Sequence, residues 1–224
     1  MRVANRPRKG GRQVEERLGQ YLDDRFTLVH GARLPGGKGQ LDAVLVGPHG
    51  VTALAFANDE GRARCLGENW YAWSPKLDDF VDVGYSPAKQ AKAGLAALQA
   101  YLAGRQLSTT VPADCAVMQT NPRAQIEFMQ PAVPIIVADK ISEMAQALAA
   151  QRELIEWNQA DEALKGLGVE PLGKPWAMLT QPGAGKRSAR VGRFGLTRNQ
   201  LIILAVIAVA DFVVLGLGAV LLLR

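Results

Sequence analysis

The chain has 224 residues, with 26 basic and 21 acidic side chains and a formal net charge of +5. The positive excess sits at the two ends, because Val14 to Gly173 carries 20 acidic against 14 basic residues; this excludes a globular part wrapped in positive surface. Cys65 and Cys115 have no CxxC or histidine companion at ligand spacing and read as reduced core residues, and His30 and His49 are too far apart and too poorly accompanied for structural zinc.

The first dozen residues form a basic arm (Arg2, Arg6, Arg8, Lys9, Arg12) with no apolar run behind it, which is not the pattern of a secretory signal. Val14 to Phe26 predicts an amphipathic helix: Val14, Leu18, Tyr21, Leu22 and Phe26 fall near one stripe, with Glu15, Glu16, Asp23 and Asp24 around it. A strand-like run from Thr27 to Leu34 ends at the turn signal Pro35-Gly36-Gly37. Gln40 to Gly47 and Val51 to Ala57, joined by Pro48-His49-Gly50, are apolar on both faces, the pattern of central strands covered by helices. After the turn Asp59-Glu60-Gly61, Ala63 to Trp73 predicts a hairpin with Gly67-Glu68-Asn69 at its tip. Pro87 to Leu107 is rich in alanine and leucine and opens on a first-turn proline, which predicts a long helix. Val111 to Thr120 and Val133 to Val137 read as strands separated by a short polar segment. Ile141 to Trp157 and Ala160 to Leu167 read as helices. The order predicts an α/β domain, a mixed sheet flanked by helices.

From Gly173 the composition shifts to Gly, Pro, Ser, Lys and Arg, a flexible basic linker holding Lys174, Lys186, Arg187, Arg190, Arg193 and Arg198 and no acidic residue. Leu201 to Leu223 follows, apolar but for Asp211. A spanning helix needs roughly 20 apolar residues to cross a hydrocarbon core about 30 Å thick, so this run predicts one C-terminal transmembrane helix. Positive charge beside a span stays on the cytoplasmic side, which places the large N-terminal part in the cytoplasm. The predicted layout is a basic arm (1–12), a domain (13–150), a helical appendage (151–173), a basic linker (174–200) and the transmembrane helix (201–223).

Glu15 with Leu18 and Leu22 in the first helix, Leu34-Pro35, and Gln40-Leu41-Asp42 leading into Val44 to Val46 form one ordered series. It continues with the turn Gly47-Pro48-His49-Gly50-Val51, then Gly61, Trp70, and the pair Pro87 and Gln90 with Ser86 where asparagine is expected. In order and spacing this series resembles the NERD domain, a nuclease-related domain of the restriction-endonuclease-like superfamily, over about Gly11 to Leu148. The resemblance implies a restriction-endonuclease-like mixed sheet flanked by helices. It also implies a metal-dependent nuclease site: an acid on one strand, and on the next strand Glu-x-Lys. The metal polarises the scissile phosphate and lowers the pKa of a bound water, while the lysine orients the nucleophile or stabilises charge. Acid and lysine are two apart because side chains alternate across a strand.

Asp42 matches the first acid and Glu15 the helix acid, but Glu-x-Lys falls on Ala55-Phe56-Ala57. Both groups are alanine. One preorganised electrostatic group contributes about 2.7–4 kcal/mol, so losing two costs several orders of magnitude in rate. Asp59 shares the parity of Ala55 and Ala57 one pleat further along and is the alternative acid, with Arg62 and Arg64 the only nearby stand-ins for the lysine. Asp42 has a structural alternative, capping a turn or pairing with a helix residue.

Gly183-Ala184-Gly185-Lys186 lacks the first glycine and the Lys-Ser/Thr pair of a phosphate loop and reads as linker. Trp70, Tyr71 and Trp73 either stack on bases or pack on the sheet. The linker basics attract anionic lipid at about 1 kcal/mol each, and Arg6, Arg8, Lys9 and Arg12 are the better nucleic-acid candidates. A central intramembrane acid costs roughly 2.5–3.5 kcal/mol on insertion scales, so Asp211 is either tolerated or at a contact with another span. These residues point to a membrane-tethered binding or scaffolding module with a degenerate nuclease site and no cofactor. The alternative is an active nuclease, using Mg²⁺, on DNA or RNA near the membrane.

Overall fold

The computed structural model describes residues 1–7, 10–33 and 41–179. The expected span 201–223 with Asp211, the linker residues Lys186, Arg187, Arg190, Arg193 and Arg198, and Arg8 and Lys9 lie outside the described residues. Among the described residues no helix is long and apolar enough to cross a membrane. In chain order the elements are β1 (Arg2–Ala4), α1 (Gly11–Leu18), β2 (Thr27–His30), β3 (Ala43–Gly47), β4 (Gly50–Ala57), β5 (Arg62–Leu66), β6 (Asn69–Ser74) and β7 (Asp79–Asp82). There follow α2 (Pro87–Gly104), β8 (Ala113–Gln119), β9 (Gln125–Met129), β10 (Ile135–Ile136), α3 (Ile141–Ala150), α4 (Trp157–Gly166) and α5 (Trp176–Leu179).

The strands form two sheets. The larger has the order β1-β2-β3-β4-β8-β10, mixed in direction: β2, β3 and β4 run antiparallel, and β1, β8 and β10 each pair in parallel. The smaller, β7-β6-β5-β9, is built largely from the segment between β4 and α2. Alternation along β4 shows why its sequence is apolar on both faces. Val51, Ala53, Ala55 and Ala57 face one core with α2, α4 and the buried side of the small sheet, while Leu54 and Phe56 face a second core with α1 and α3. The buried stripe of α2 is small at its N-terminal half (Ala88, Ala91, Gly94), so the helix lies close on the sheet. A Cβ on Gly94 would stand 2.1 Å from Leu41 Cδ2.

Several expectations are corrected. The basic arm is in part a strand: Arg2–Ala4 pairs in parallel with Thr27–Val29 at the sheet edge. Three residues carry no periodicity, and the pairing partner lies 25 positions away. The first helix is Gly11–Leu18, not Val14 to Phe26. Gly19 ends it, and Leu22 and Phe26 are buried from the turn that follows. The run from Thr27 is a strand only to His30, because Gly31 takes a φ of 59°. Ile141 to Trp157 is two pieces. Gln151 turns extended at the end of α3, and the Leu154 and Ile155 N–H groups both donate to the Pro48 carbonyl oxygen, at 2.8 and 3.2 Å. A second helix then starts on a capping box in which Glu156 and Gln159 each bond the other's backbone N–H. Between β8 and β10 the polar segment contains a further strand, β9, paired with β5.

Candidate functional site

Asp42 stands one residue before β3, and continuing the register (Ala43 opposite Leu54) sets it opposite Ala55. Its Oδ2 accepts the Phe56 backbone N–H at 2.8 Å and the Gln90 side-chain amide at 3.2 Å. Gln90 is carried there by the first turn of α2, which Ser86 caps by accepting the Lys89 N–H at 3.1 Å. Asp42 therefore ties helix to sheet, the second use its position allowed. Beside it, Ala55 and Ala57 are 0 % exposed, and their methyl groups belong to the core beneath α2.

Glu15 lies on the other side of the sheet. Its carboxylate is 3.5 Å from Nε2 of His30, a residue fully buried on the α1 side with its ring edge-on to Phe56. Burial pushes the His30 imidazole below its ordinary pKa, and Glu15 pulls the other way. The two acids matched by the resemblance thus have separate partners, Glu15 reaching from α1 to His30 on β2 and Asp42 bonded to Gln90 of α2.

Asp59, two residues beyond β4, does not take over the missing acid. Its Oδ2 accepts the indole N–H of Trp70 at 3.0 Å and its Oδ1 the hydroxyl of Tyr85 at 2.6 Å. Burial, and then the bond to Asp59, push the Tyr85 hydroxyl above its ordinary pKa. Asp59 holds the small sheet and the loop before α2 onto the end of β4. Nor do Arg62 and Arg64 replace the lysine. Both bond Glu127, at 3.1 Å from Arg62 Nη2 and 2.7 Å from Arg64 Nη2, and these cations hold the Glu127 carboxyl below its ordinary range. Arg62 lies over Trp73 at 4.7 Å and Arg64 over Phe80 at 3.9 Å. Trp70 is a core residue, 1 % exposed, while Tyr71 and Trp73 alternate with it onto the outward face. Arg6 is exposed, and Arg12 makes a solvent-exposed i,i+4 pair with Glu16 at 3.4 Å. Cys65 and Cys115 are both buried free thiols.

A divalent ion among waters wants several carboxylate oxygens together. Among the described residues no group of three or more His, Cys, Asp or Glu is placed to hold one. The donor set around Asp42, an amide, a backbone N–H and two methyl groups, does not fit a metal. Sequence reasoning missed the partners: His30 for Glu15, and Trp70 and Tyr85 for Asp59. Gln90 carried a signal, its place in the Pro87 and Gln90 pair, but its target on the sheet is a tertiary fact.

The family described as the nuclease-related domain (NERD) matches residues 6–120, just over half of the chain. The chain belongs to that family. The matched stretch of the nuclease-related domain runs from the end of β1 to the end of β8, so it contains Glu15, Asp42, Ala55, Ala57 and Gln90, and leaves β9, β10 and α3 to α5 outside. No curated protein and no solved structure matches the chain.

Proposed function

We propose that this nuclease-related domain has a degenerate nuclease site and serves as a binding or scaffolding module, anchored at the cytoplasmic face of a membrane. The observation that carries the first half is the pairing of Asp42 with Ala55. One oxygen of the acid, Oδ2, accepts from a backbone N–H and from Gln90, and the positions of Glu-x-Lys hold two fully buried methyl groups. A carboxylate held this way stabilises the junction of α2 with the sheet, and among the described residues it belongs to no group of three or more His, Cys, Asp or Glu placed to hold a metal. The anchor rests on the sequence: a run of 23 residues, apolar but for Asp211, behind a linker with six basic and no acidic residues. At the bilayer that linker meets anionic headgroups. Arg6, Arg8, Lys9 and Arg12, at the far end of the chain, are the residues proposed for contact with nucleic acid if the module binds it.

One preparation tests both halves. Full-length protein sorts with membranes and a chain ending before Leu201 does not. Neither cleaves DNA or RNA above background with Mg²⁺ or Mn²⁺. Cleavage that Asp42→Asn abolishes would overturn the degenerate site in favour of an active nuclease, and equal membrane recovery of both chains would overturn the anchor.

We propose further that the span associates with itself or with another span through Asp211. Interhelical polar contacts contribute about 0.6–2 kcal/mol, so Asp211→Leu weakens crosslinking of the full-length protein in membranes without reducing insertion. Equal crosslinking in both proteins would make the carboxyl a passenger.

A further inference from the structure

We draw no further inference here: the strongest candidate, the outward face of the small sheet where Trp73 and Phe80 lie beside Arg62 and Arg64, has its rings already stacked under its own guanidinium groups and those groups paired with Glu127, and nothing in the structure shows what would cover it.

Discussion

Strand β4 begins and ends in regions built to different standards. At its start, the turn Gly47-Pro48-His49-Gly50 lies within the stretch matched by the nuclease-related domain, and its residues are closely packed. Gly50 sits at φ 115°, and a Cβ there would be 2.3 Å from the Pro112 carbonyl oxygen. Pro48 offers its carbonyl oxygen to two N–H groups of the α3–α4 connection, and His49 stacks on Phe26 with ring centroids 5.8 Å apart. At its other end, where the family's chemistry would be, the strand carries Ala55 and Ala57 under a helix, and the nearby carboxylates are spent on Gln90, Trp70 and Tyr85. The difference separates two demands on one strand. The turn satisfies the packing of the sheet and stands without a metal, whereas Glu-x-Lys would serve only chemistry and would bring charge into a core.

The comparison breaks most visibly if the chemical end tolerates its charges. Ala55→Glu with Ala57→Lys places two ionisable groups where there is now apolar packing. Burial of that kind costs several kcal/mol per ion, so the double variant should lose about 5 kcal/mol or more and fail to fold. Urea unfolding of the compact unit Met1–Gln181 measures it. A variant that unfolds like the wild type and takes up Mn²⁺ would mean that a site persists beneath α2.

A smaller effect sharpens the contrast in backbone terms. Gly50→Ala meets both a forbidden φ and the Pro112 oxygen, and should cost about 4 kcal/mol. Gly61→Ala, just beyond the chemical end of β4, has φ 86° but nothing within 4 Å of the new methyl group, and should cost only about 1 kcal/mol. Equal losses on thermal or urea unfolding would show that the turn is no more constrained than the loop at the other end.

The smallest effect is a pH dependence. Burial lowers His49 to about 4 from 6.5. A histidine depressed in the folded state leaves stability unaffected above pH 6.5. Between 6.5 and 4 the unfolded chain takes up the proton first, so stability falls by at most about 3 kcal/mol. His30, lowered by burial as well, acts in the same direction. The difference in unfolding free energy between wild type and His49→Gln, followed from pH 7 to pH 4.5, isolates the turn histidine from the carboxylates that titrate nearby. A difference independent of pH would place His49 in solvent and remove the turn's claim to tight packing.

What was legible in the sequence follows the same division. Gly47 to Gly50 between two runs apolar on both faces announces two paired, buried strands, and Pro87 behind Ser86 announces the start of α2; each signal is local. The segments that were missed carry no such pattern. Arg2–Ala4, Asp79–Asp82 and Gln125–Met129 are short strands at sheet edges, and the first and last are held by neighbours distant in sequence. The site divided in this way too. The family resemblance joined Asp42 to the alanines, but no local rule shows that Glu15 turns to His30 on the opposite side, or that Tyr85 and Trp70 share Asp59.

The parallel pairing of β4 with β8 constrains how the chain folds. Ala57 pairs with Gln119 and Val51 with Ala113, so residues 58–112, with three strands of the small sheet and all of α2, lie within one crossover at the centre of the larger sheet. Closing a loop of that length costs about 3.5 kcal/mol beyond a constant before the pairing returns anything. Such non-local contacts slow folding relative to local ones. The antiparallel unit β2–β3–β4 is local enough to form early. The β5–β6–β7 meander is equally local, and it docks through Trp70 and Asp59. The hydrogen bond from Gln90 to Asp42 ties α2, midway along this crossover, back to the sheet, and so divides the long loop into two shorter ones. On this view Asp42 is a clasp across the crossover as well as a residue of the sheet.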